Sequence, residues 1–102
     1  MGAMINEDRF GVVNLPIDPV SVAANTTVEQ TFTLIGTKVG DFVALSKPSL
    51  TVGLAVFSAR VGAADTVSIK FANVTAAPID PPLETYLVFY FRAEKRFAAV
   101  TV

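Results

Sequence analysis

Apolar and polar residues alternate with a period of two along most of this chain, and no stretch sustains the spacing of an amphipathic helix. Val28, Gln30, Phe32 and Leu34 share one side of an extended segment, with Glu29, Thr31 and Thr33 on the other. The pattern is cleanest from Thr66 to Ala72, where Val67, Ile69 and Phe71 are expected inward and Ser68 and Lys70 outward. Phe42 to Ser46 is a short apolar run in which Val43 and Leu45 oppose Phe42 and Ala44. Between Leu54 and Val61, alternation sets Ala55, Phe57, Ala59 and Val61 against Leu54, Val56, Ser58 and Arg60. Thr85 to Phe91 is the strongest strand segment, rich in β-branched and aromatic residues.

Turn chemistry separates these runs. Ala24-Asn25-Thr26, Gly36 to Asp41, Lys47 to Gly53, Gly62 to Asp65 and Thr75 to Pro82 each hold the Gly, Pro, Asn or Asp that a reversal needs. Asp80-Pro81-Pro82 has two successive residues without a backbone donor, so it reads as a stiff crossover, not a central strand. The expectation is an all-β domain: an antiparallel β-sandwich, Ig-like or jelly-roll-like, of about six to eight strands over residues 20–102.

The two ends depart from this rhythm. Residues 5–19 place Phe10, Val12, Val13, Leu15 and Ile17 between polar positions and carry Pro16 and Pro19. Proline holds such a segment extended, so it is either an edge strand or an N-terminal arm lying on a neighbouring subunit. Met1 to Met4 read as a cloning remnant, with Met4 a possible natural start. After Phe91 come a short charged stretch, Arg92 to Arg96, and apolar Phe97 to Val102, either a further strand or a tail.

Composition narrows the possible functions. There is no His and no Cys, which removes imidazole acid–base work, the common catalytic triads, thiolate metal sites and disulfides. The acids are scattered, mostly at turns and strand ends, where Asp caps local backbone. No EF-hand spacing supports calcium, and Gly36 to Asp41 lacks the spacing of a phosphate loop. No catalytic residue, cofactor or metal is therefore expected. Eight Lys and Arg balance nine Asp and Glu, so no field draws nucleic acid or a membrane surface, and no apolar run is long enough to span a bilayer. Arg92, Lys95 and Arg96 make at best a small basic patch. Two glycosylation sequons, Asn25-Thr26-Thr27 and Asn73-Val74-Thr75, carry little meaning without a visible signal peptide.

Charged residues make up 17% of the chain, below the roughly 25% usual in soluble domains, while 52% are hydrophobic. Such a surface favours association. Thr85 to Phe91 fits that expectation, because Tyr86, Val88 and Tyr90 fall on one side and Leu87, Phe89 and Phe91 on the other, leaving neither side polar. Either the tyrosine rings pad the surface with their hydroxyls in water, or one side is buried against another chain. The expected contact with another subunit comprises Phe10, Val12, Leu15, Ile17, Tyr86, Val88 and Tyr90. A sugar-stacking platform on Tyr86 and Tyr90 is a further alternative.

Gly36, Val39, Gly40 and Asp41; Lys47, Pro48, Leu50, Gly53 and Leu54; Ala59, Arg60 and Val61; and Phe71, Asn73, Thr75 to Ala77, Ile79 and Pro81 together form a pattern that resembles a group of small tailed-phage virion proteins. The resemblance runs from about Ser21 to Tyr86. It implies a virion component made in a bacterial host cytoplasm and placed on the capsid surface. The expected function is that of a non-enzymatic capsid decoration, or cement, protein: a homotrimer bound to the major capsid protein, with no nucleic-acid or membrane partner. The alternatives are a tail, baseplate or fibre component and a surface carbohydrate-binding module.

Overall fold

The computed structural model describes residues 10–92, and these contain six strands and no helix. In chain order they are β1 (Phe10–Ile17), β2 (Thr26–Thr33), β3 (Phe42–Ser46), β4 (Leu54–Ala63), β5 (Thr66–Asn73) and β6 (Glu84–Phe91). They form two three-stranded antiparallel sheets, ordered β1-β6-β3 and β2-β5-β4. The central strands are β5 in one sheet and β6 in the other, and β5 has no exposed residue along its length. Residues 1–9 and 93–102, which include the start of the expected arm and the apolar C-terminal piece, lie outside the described residues.

Phe10–Ile17, read from sequence as arm or edge strand, pairs with β6 from Phe10↔Phe91 to Ile17↔Glu84. One core draws on the inner faces of both sheets: Ile17, Val43, Tyr86 and Val88 from one, and Leu54, Val61, Val67, Ile69 and Phe71 from the other. Burial of each large side chain contributes about 1.5–3 kcal/mol. The alternation read in β2 and β5 matches this placement. That of β4 does not, because register shifts fall between Val56 and Ser58 and between Arg60 and Ala63. One extra residue at Phe57 changes the phase, so Leu54 and Val56 share the inner side with Ala59 and Val61.

The links carry backbone conformations that their residues allow. Asn25 and Asp65 sit at φ 51° and 58°, and Gly36, Gly40 and Gly53 at 100°, 95° and 84°. Asp65 closes the two-residue turn between β4 and β5 and docks it on the β2–β3 link. Its carbonyl accepts from Leu34 N at 3.0 Å, its amide donates to Thr37 O at 2.9 Å, and its carboxylate accepts from Gly36 N at 2.8 Å. At the opposite end, buried Asn73 joins two crossovers. Its amide donates to Val22 O at 3.0 Å and Ala77 O at 2.9 Å, and its carbonyl accepts from Thr75 N at 2.8 Å and Thr75 Oγ1 at 2.7 Å. A bridge between Val22 and Ile79 completes this knot.

Candidate functional site

Register and pleat define a continuous outer face on the β1-β6-β3 sheet. Since Tyr86, Val88 and Tyr90 turn toward the core, Thr85, Leu87, Phe89 and Phe91 turn away from it. Cross-strand pairing extends them into rows: Phe10–Phe91–Phe42, then Val12–Phe89–Ala44, then Asn14–Leu87–Ser46. Phe89 sits near the middle, edge-to-face with Phe10 at 4.9 Å between centroids and with Phe42 at 6.4 Å. Val12 and Phe42 are more than half exposed, at 57% and 58%, and Leu87 is 49% exposed. No charged side chain lies in these rows.

The other sheet shows water a different surface. Arg60 donates to both oxygens of Glu29, at 2.7 and 2.8 Å, across the polar side of β5. That hydrogen bond holds the Glu29 carboxyl below its usual range and the Arg60 guanidinium above its own. Lys70 lies over the ring of Phe57, 5.6 Å from its centroid. One sheet is thus charged and mostly polar outside, with exposed Phe57 beneath Lys70, and the other is aromatic and uncharged.

The residues expected at a subunit contact divide between the two sides of the apolar sheet. Phe10 and Val12 lie on its outer face. Leu15 and Tyr90 are half-buried and pack against the core, while Ile17, Tyr86 and Val88 are fully enclosed by it. A pleated strand offers only alternate residues to one side, so the outward set on β6 is Leu87 and Phe89, not Tyr86 and Val88. Neither tyrosine offers an open ring for a sugar, since Tyr86 is enclosed and the Tyr90 ring lies directly beneath Gly11.

Several titratable groups are engaged within the fold. Lys47 pairs with Glu84 at 3.0 Å, and Ser49 donates to the same carboxylate. The Ser49 hydroxyl, followed by Lys47, holds the Glu84 carboxyl below its ordinary value. The Tyr86 hydroxyl nearby is buried without a hydrogen-bond partner, and burial, reinforced by the charge of Glu84, pushes its phenol up to about 12. Arg92 donates to both oxygens of Asp41, at 2.7 and 2.8 Å, and to Gly36 O at 3.0 Å. Within the expected basic patch, then, Arg92 is committed to the β2–β3 link, while Lys95 and Arg96 lie outside the described residues. Among the described residues no group of three or more His, Cys, Asp or Glu is placed to hold a metal ion. A shallow depression of about 410 Å³, lined by Asn25, Thr26, Thr27, Ala72, Asn73 and Val74, contains no charged group. Asn73, the acceptor of the second sequon, is buried and fully bonded. No family model, curated protein or solved structure matches the chain.

Proposed function

We propose that this chain is a non-enzymatic structural subunit, a small β-sandwich that works by passive association through the outer face of β1-β6-β3. The observation that carries this reading is the contrast between its two outer faces. An isolated sandwich gains nothing from setting Phe10, Phe42, Phe89 and Phe91 toward water on one side while keeping an ion-paired surface on the other. Aromatic side chains at the centre of a patch with a Thr, Asn and Ser margin follow the arrangement of protein–protein contacts.

Joined to the phage-like motif block, this face supports a capsid decoration protein of a tailed phage, with further copies of the chain and the major capsid protein as partners. Binding of that kind needs area and complementarity and no catalytic geometry. The test is co-sedimentation of the purified chain with expanded shells of the parent phage that lack it. The wild type should bind to saturation at a fixed ratio per capsid subunit, and Leu87→Lys should bind at least tenfold more weakly. Failure of the wild type to bind shells overturns the decoration role. Labelling of intact virions only at the tail would move the subunit there.

A further inference from the structure

Resting on that reading, we infer that the outer face of β1-β6-β3 pairs with the same face of a second copy, as a two-fold dimer and not as the three-membered ring that the phage resemblance implies. A closed ring needs two different patches that fit each other, whereas a two-fold contact needs one patch that fits itself. Among the described residues only one sheet face is both apolar and uncharged. Setting it against the other outer face of a neighbour would press Glu29, Arg60 and Lys70 onto phenylalanine rings and strip them of water. Like against like leaves both surfaces satisfied. The exposed aliphatic side chains elsewhere, Ile35 and Val39 in one link and Leu50 and Val52 in another, belong to loops and build no sheet face.

Charge and area agree with a second copy as the occupant. The rows contain no charge, so two copies meet without like-charge contact, and a partner with a charged patch would find nothing to pair with. Strands about 4.8 Å apart, two of eight residues and one of five, at about 3.3 Å per residue, give a footprint of roughly 330 Å². With its side-chain relief, a stacked pair of such faces removes on the order of 1,000 Å² from water, at the lower edge of specific interfaces. The pair should therefore form reversibly in the micromolar range. Phe89, already held edge-to-face between Phe10 and Phe42, is the anchor that needs least ordering.

Sedimentation equilibrium across the micromolar range tests this on the intact chain, with Phe89→Lys and the milder Leu87→Lys on the face and Thr31→Lys on the opposite sheet. The expected result is a mass that rises from one chain to two. Both face variants should need at least tenfold higher concentration, Thr31→Lys should pair like the wild type, and all should keep the same circular dichroism. If Phe89→Lys does not fold, Leu87→Lys decides alone. A plateau at three chains overturns the two-fold inference and leaves the structural-subunit reading standing. A monomer that still binds shells assigns the face to the capsid protein and overturns the inference alone. A monomer whose face variants lose folding stability shows that the chain covers this face itself, and also overturns it. A monomer that binds no shell overturns inference and function together.

Discussion

Replacing Tyr86 by Phe should stabilise this protein, although Tyr86 is among its most deeply enclosed residues. The ring is fully buried between the sheets, while its hydroxyl has no hydrogen-bond partner. An unpaired buried hydroxyl costs about 1–3 kcal/mol relative to its hydrated state, and Phe keeps the ring packing while removing that cost. A gain of about 1 kcal/mol at neutral pH is expected, a rise of roughly 4–8 °C in melting midpoint for a domain of this size. A second signature lies at alkaline pH. Burial, with the charge of Glu84, raises the phenol from its ordinary 10.0 to about 12. The folded chain therefore keeps a proton that the unfolded chain releases, and stability must fall as pH rises from 10 toward 12. The full shift corresponds to at most about 2.7 kcal/mol, and screening by nearby solvent leaves roughly 1–2 kcal/mol of it. Urea unfolding at neutral pH and through the alkaline window, followed by circular dichroism, measures both effects. If Tyr86→Phe lost more than about 1 kcal/mol at neutral pH and kept the alkaline decline, the hydroxyl would have to be bonded and the reasoning would fail.

Other substitutions probe the links and the sheet contacts. Asn73→Ala removes four hydrogen bonds and leaves Val22 O to Ile79 N alone and Ala77 O to Thr75 Oγ1 alone, so about 2 kcal/mol of unfolding free energy should be lost in urea titrations. Gly11→Ala would drive a methyl group into the Tyr90 ring, and a cost of about 1–3 kcal/mol is expected from the same measurement. The Glu84 carboxyl, held low first by Ser49 and then by Lys47, contributes stability that is complete above its ordinary value of 4.5 and lost as pH falls through the lowered one. Glu84→Gln should flatten that acid limb of the urea midpoint, and an unchanged limb would assign it to other carboxylates.

How much of this was legible in the sequence differs from strand to strand. β2 and β5 carry a single phase of alternation, so their inward residues follow from the pattern alone. β6 is apolar on both sides, and which side meets the core is decided by its partners. Tyr90 turns inward where Gly11 opposite leaves room for its ring, a relation that only the pairing of β1 with β6 reveals. That is why the expected contact included Tyr86 and Val88 and passed over Leu87, Phe89 and Phe42. A usable signal existed: Glu29, Thr31 and Lys70 give β2 and β5 a polar, charged outer surface, whereas the outward positions of β3 and β6 hold Phe42, Ala44, Leu87 and Phe89 and no charge. In β4 the extra residue at Phe57 breaks the alternation in a way that resembles ordinary polar noise. Asn73 and Thr75 stood out as motif residues, but their work in tying two crossovers together required the fold.

The irregularities of the outermost strands bear on the association proposed for this chain. β4 is interrupted by its two register shifts, β1 presents Pro16 without an amide hydrogen, and β3 is only five residues long. Three of the four sheet margins are thus poor templates for the backbone of another molecule. Copies that met by stacking sheet on sheet, as proposed, would come to rest after one contact. Had these margins been long and regular, the same apolar chain could have grown strand by strand without limit into a fibre.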